Sequence, residues 1–150
     1  MLVILFADAV CLNGRMGDLR DMRILLAEDN EATGQMYKSF LETKGFKVDL
    51  AINGLQAFEL AHEGGYNLIL MDVRMPKLDG IEVLQRLKDD PPKEKNGPIV
   101  MLTNLYDEFM VKQSVSLGAL SYMDKSNLNP EELVEKVKGV LGIPEAGEVN

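Results

Sequence analysis

Glu28 and Asp29 stand together at the end of one apolar run, RILLAE, and Asp72 closes another, YNLILMD. A carboxylate at the end of a buried strand is costly to keep charged unless something compensates it. If the two runs are neighbouring strands, about 4.8 Å apart, the three acids share one crevice. Two unit charges at roughly 4 Å repel by about 4 kcal/mol at an effective dielectric of about 20, so the cluster calls for a cation. The ligands are all oxygen, with no His or Cys among them, which favours Mg²⁺, or Mn²⁺, over zinc. Later apolar runs end in two complementary groups, the hydroxyl of Thr103 and, just past the last run, the ammonium of Lys125. A phosphoryl group carried on Asp72 would meet a metal on one side and these two groups on the other.

The elements that must bring these residues together can be read from the pattern. From Arg23 onward, short apolar runs alternate with segments of helical spacing, the signature of repeated βα units around a parallel sheet. The runs RILLAE, FKVDLA, YNLILMD, PIVMLTN and ALSYMD are the strands, the second being polar enough for an edge. Asp29 or Asn30 can cap the first helix, which is expected to bury Met36, Phe40 and Leu41 and to stop at Gly45. Asn53 can cap the second, with Leu55, Phe58 and Ala61 inward and Gly64-Gly65 at its end. The third starts near Gly80, places Ile81, Leu84 and Leu87 on one side, and fails at Pro91-Pro92. The fourth follows Leu105 and closes at Gly118. The fifth has Asn129 as N-cap, Pro130 at its first position and Glu131 and Glu132 in its first turn, with Leu133, Val137, Val140 and Leu141 as its stripe. Right-handed crossovers leave few topologies. The expectation is an α/β, flavodoxin-like, doubly wound (βα)5 fold with a five-stranded parallel sheet in the order 2-1-3-4-5, where the ends of strands one and three meet in the ligand crevice.

The totals agree with this and exclude other classes. At 150 residues the chain fits one domain with a single substantial core. A net charge of −8 with no block of Lys and Arg argues against direct nucleic-acid binding. No apolar run approaches the length of a membrane span. Cys11 is the one cysteine, so no internal disulfide can form. Residues 1–21 are expected to be a poorly ordered leader, or the product of a start codon read too far upstream, with a short packed element as the alternative. Their apolar opening, MLVILFADAVCL, lacks the positive start of an export signal. The domain is expected to cover 22–143, and 144–150 to be a frayed tail.

With Glu28-Asp29, Asp72 followed by Met75-Pro76 and Asp79-Gly80, then Thr103 and Lys125, the stretch from Met22 to Leu141 resembles the receiver domain of two-component response regulators, of the stand-alone, chemotaxis-regulator-like kind. The resemblance implies that Asp72 accepts a phosphoryl group from a sensor histidine kinase or a histidine phosphotransfer protein. It implies that Mg²⁺ is held by Asp29, Asp72, Glu28 (largely through water) and the backbone carbonyl of Arg74. The phosphoryl oxygens would be met by Thr103, Lys125 and the backbone N–H groups of Val73 and Asn104. Thr103 and Tyr122 would form the switch, reshaping the surface of the fourth helix, fifth strand and fifth helix for a downstream protein. The chain would then be a cytoplasmic signalling module, monomer or weak dimer, and not an enzyme beyond its own phosphorylation and slow dephosphorylation. Two departures stand out: Asn104 where a small residue is common, and Ser126 where a cis proline commonly follows the lysine.

Each residue also has an ordinary explanation. Glu28 and Asp29 can cap a helix, Thr103 can bond to backbone, Lys125 can be a solvated loop lysine, and Tyr122 can be simple packing. Their joint placement at one sheet edge is what argues for chemistry. Two other functions compete. A Mg²⁺-dependent phosphate-ester hydrolase would also use an aspartate nucleophile, but Arg74 stands where such enzymes usually place a second acid. A receiver-like module that no longer takes phosphate is favoured only by Asn104 and Ser126.

Overall fold

A computed structural model describes residues 4–6, 9–12, 15–104 and 108–144, those before Arg20 by backbone alone. Cys11's side chain, Leu105, Tyr106 and the expected tail beyond Pro144 lie outside the described residues. Within the stretch read as a leader, β1 (Ile4–Phe6), β2 (Ala9–Leu12) and β3 (Arg15–Asp18) pair antiparallel in sequence order.

The next five strands are β4 (Arg23–Ala27), β5 (Lys47–Ala51), β6 (Leu68–Asp72), β7 (Ile99–Thr103) and β8 (Ser121–Asp124), all parallel, in the order β5-β4-β6-β7-β8. Counted within this sheet the order is 2-1-3-4-5, the flavodoxin-like arrangement. The period-2 alternation of strand side chains divides the apolar runs between two faces. Ile24, Leu26, Leu68, Leu70 and Leu102 pack with Tyr37, Leu41, Leu133 and Val137 from α1 (Glu31–Thr43) and α5 (Pro130–Leu141). Leu25, Ile69, Met71 and Met101 pack on the other face with residues of α2 (Gly54–Glu63), α3 (Gly80–Asp89) and α4 (Glu108–Ser116). Because both faces of β6 are covered, all of LILMD is buried, Asp72 included.

Helix starts follow the sequence closely. Asn30, Asn53, Asp79 and Asn129 each accept a hydrogen bond from the N–H three residues on, those of Thr33, Gln56, Glu82 and Glu132. Helix faces are where the expectations need correction. On α1 the buried residues are Gly34, Tyr37 and Leu41, while Met36 and Phe40 are 41% and 37% exposed. On α2 the buried stripe is Gly54, Ala57 and Ala61, and Leu55 faces out. The cause at α2 is close backbone approach: a Cβ on Gly54 would lie 1.7 Å from the carbonyl oxygen of Leu78. Small residues therefore occupy the contact and the larger leucine is turned away.

Candidate functional site

Strand register assembles the site. Ala27 is paired with Met71, so Glu28, one step on, comes abreast of Asp72. Asp72 is paired with Leu102, which puts Thr103 just beyond it, and Thr103 is paired with Asp124, which puts Lys125 one step further. Glu28, Asp29, Asp72, Thr103 and Lys125 thus line one open crevice of about 1100 Å³ at the carboxyl ends of the strands.

Glu28 and Asp72 are buried to 1% and 6% exposure, whereas Asp29 faces solvent. One carboxylate oxygen from each of the three acids lies within 4.8 Å of the others. The Lys125 ammonium stands between the two buried acids, donating to Glu28 Oε2 at 2.6 Å and to Asp72 Oδ2 at 2.9 Å. The second oxygens are met by backbone: Glu28 Oε1 accepts from the N–H of Asn30 at 3.1 Å and Asp72 Oδ1 from that of Arg74 at 3.3 Å. Burial pushes the Asp72 carboxyl up to about 6, and Lys125 pulls against that rise. The Lys125 ammonium is itself held above its usual value: burial opposes this, but its bonds to Glu28 and Asp72 outweigh it.

One ammonium facing three carboxylates leaves the cluster two charges negative. An all-oxygen set with that excess fits a hard divalent cation and gives it no soft ligand. Lys125 was expected to face a phosphoryl group; in the structure its ammonium is the shared counter-charge of Glu28 and Asp72.

The loop after Asp72 is shaped by glycine. A Cβ on Gly80 would lie 2.4 Å from the carbonyl oxygen of Asp72, and the N–H of Gly80 donates to Val73 at 2.7 Å. Lys77 takes a left-handed φ of 70°, and the N–H of Gly54 clamps the loop from α2 through Pro76 at 3.1 Å. The Val73 N–H, expected to face phosphate, donates to the Leu102 carbonyl at 3.0 Å, so the amide that reaches the Asp72 carboxylate is Arg74's. Asn104 is exposed at the crevice rim. Around Lys125-Ser126 the described peptides are all trans, and residues Lys125–Asn127 form a 3-10 turn. Tyr122 is 40% exposed and lines, together with Thr103, a slot that none of the three acids lines. Sequence reasoning missed Tyr37, which lines the crevice from α1; a polar-tipped aromatic in an otherwise apolar helix stripe was the available signal.

A doubly wound sheet with an acidic crevice at its switch point, an ammonium and a hydroxyl defines a class of flavodoxin-like α/β modules. Comparison with known proteins resolves the class: the family model described as the response regulator receiver domain matches residues 24–138, and the chain belongs to that family. It is therefore the receiver domain of a two-component response regulator. Among curated proteins it is 36% identical over 118 residues to the transcriptional regulatory protein SrrA of Staphylococcus aureus, covering 79% of this chain and 47% of SrrA. The chain thus spans about half the length of the curated relatives it matches. Among solved structures it is similar to a CheY-like receiver domain protein from Methanospirillum hungatei, with a TM-score of 0.71, 28% identity and coverage of 81% of this chain and 94% of that one. A two-component response regulator from Clostridium difficile has a TM-score of 0.70, 28% identity and coverage of 81% and 96%. Among the described residues no helix is long and apolar enough to cross a membrane.

Proposed function

We propose that Asp72 accepts a phosphoryl group from a phosphohistidine on a sensor histidine kinase or a histidine phosphotransfer protein. The observation that carries this reading is the pairing of two buried carboxylates, Glu28 and Asp72, on one ammonium beside the exposed Asp29. A carboxylate oxygen of Asp72 attacks phosphorus; a P–O bond forms as the P–N bond breaks, and the departing imidazole takes up a proton. Glu28, Asp29, Asp72 and the Arg74 carbonyl would hold Mg²⁺, or Mn²⁺, which supplies positive charge against the phosphoryl oxygens. Lys125 and Thr103 bind those oxygens from the other side, and the backbone amides of Arg74 and Asn104 add hydrogen bonds.

The signal leaves through a protein surface made by α4, β8 and α5. A slot between α4 and β8, lined by Thr103, Met110, Ser114 and Tyr122 among others, encloses only about 10 Å³. That is room for one water at most, so the Tyr122 ring enters it only if α4 shifts. Phe109 and Val115 on α4 and Leu120 and Tyr122 at β8 expose apolar area, which suits a protein partner. The acidic balance of the chain argues against this domain contacting nucleic acid directly, and a cytoplasmic setting follows from the kinase partner.

The test is intact mass after incubation with acetyl phosphate and Mg²⁺, alongside Asp72→Asn and a metal-free control. One metal-dependent phosphoryl addition, absent from the variant, is expected. No addition from acetyl phosphate or from a phosphorylated histidine donor would leave a phosphate-independent interaction module, and steady turnover of p-nitrophenyl phosphate would indicate a hydrolase.

A further inference from the structure

We infer that Tyr37 is a positioning residue for Lys125: its hydroxyl ties the loop Lys125–Leu128 to α1 and so sets where the ammonium stands between Glu28 and Asp72. The kinetic consequence rests on the phosphoacceptor reading above, but the geometry does not. Tyr37 is buried, and its hydroxyl donates to the carbonyl of Leu128 at 3.0 Å across 91 positions of sequence. Leu128 stands one residue before the N-cap of α5, whose ladder starts with the N–H of Leu133 on Asn129. The Leu128 carbonyl is therefore outside the helix, and a buried carbonyl needs a partner. The Tyr37 hydroxyl is that partner.

The loop needs an anchor because of where it leaves the sheet. Strand β8 is an edge, so among the described residues the chain beyond Asp124 has no neighbouring strand on its outer side. Within the loop, Asp124 accepts from the N–H and the hydroxyl of Ser126 at 2.9 and 2.5 Å, and the N–H of Leu128 donates to Lys125 at 3.3 Å. These bonds fix the shape of the turn and not its distance from the acids. Helix α1 begins two residues after Asp29, so the Tyr37 bond links the segment bearing Glu28 and Asp29 to the loop bearing Lys125. The Tyr37 ring packs in the same core cluster as the Leu128 side chain, and its edge lines the crevice with Lys125. Burial pushes the phenol above its ordinary range, against the pull of Lys125, which keeps it a proton donor.

Tyr37→Phe removes one hydroxyl and leaves the ring. Phosphoryl incorporation from acetyl phosphate at saturating Mg²⁺ is expected to fall about tenfold, the scale of a small misplacement of a reacting group. The same substitution in a Lys125→Ala background is expected to cause no further loss, and hydrogen exchange at the Ser126–Leu128 amides should quicken in Tyr37→Phe while that in the middle of α5 does not. An unchanged rate, or an equal loss with and without Lys125, would overturn the inference by showing that Tyr37 does not act through the lysine. If the wild-type chain takes no phosphate, the phosphoacceptor reading fails by itself. The exchange measurement then decides: faster loop exchange in Tyr37→Phe supports the anchor, and unchanged exchange refutes it.

Discussion

Two clusters on the same sheet join a cation to acid and contrast sharply. At the crevice, Lys125 serves Glu28 and Asp72, with side chains 9%, 1% and 8% exposed. Elsewhere, Arg23 lies 3.4 Å from Asp49, at 43% and 50% exposure, stacked 4.5 Å over the ring of Tyr66, whose hydroxyl donates to the same Asp49 oxygen. The second cluster is charge-balanced and exposed; the first is buried and short of positive charge. Ion pairing alone does not mark a site. Buried imbalance does, because solvent screens it poorly and a proton or a bound cation relieves it.

The largest effect should come from Lys125→Met. Removing one partner from a buried pair costs about 3–5 kcal/mol, and here two acids lose their counter-charge. Urea unfolding without Mg²⁺ should show a loss on that scale, recovered in large part by Mg²⁺; a loss no larger than that at the Arg23 cluster would erase the contrast. Next comes Asp72→Asn. The carboxyl is pushed from 3.8 to about 6, so the folded chain holds its proton more tightly than the unfolded chain. That stability is present below the ordinary carboxylate range and is lost as pH rises through about 6. At about 1.4 kcal/mol per pKa unit the penalty is on the order of 3 kcal/mol. Without metal, the asparagine variant should therefore be more stable near neutral pH, with the advantage fading towards pH 4. An advantage that persisted in acid would point away from the Asp72 charge.

The same proton competes with the cation. Below pH 6 Mg²⁺ affinity, measured by calorimetric titration, should weaken about tenfold per pH unit as Asp72 protonates; a flat profile would mean that Asp72 contributes little to the cation site. The smallest effect belongs to Arg23→Met, at most about 1 kcal/mol and insensitive to Mg²⁺. A larger or Mg²⁺-sensitive loss there would mean that the two clusters are coupled.

Much of this was legible in the sequence. The strands ending in Glu28-Asp29 and Asp72 are continuous apolar runs, and helix starts were announced by Asn53, Asn129 and Gly80. Helix faces were harder. Met36, Phe40 and Leu55 are large and apolar at helical spacing, yet the faces that meet the sheet and the loop are carried by Gly34, Tyr37, Gly54 and Ala57. Spacing ranks residues by hydrophobicity, whereas close approach selects by size, as Gly54 against Leu78 demonstrates. The bond from the Val73 amide to the Leu102 carbonyl was likewise not legible, because which N–H meets a neighbouring strand depends on register.

By itself, then, the sequence determined the alternation of elements, hence the doubly wound sheet, and which residue types stand at strand ends, hence the acidic crevice. These follow from local patterns of period 2 and 3.6 and from short-range capping. Only the tertiary structure decided that Lys125 sits between Glu28 and Asp72, from 97 and 53 positions away, and that Tyr37 reaches Leu128 across 91. Such pairings depend on how strands align and how closely helices pack, and no local pattern in the chain encodes a distance between segments that meet only when the whole sheet has formed.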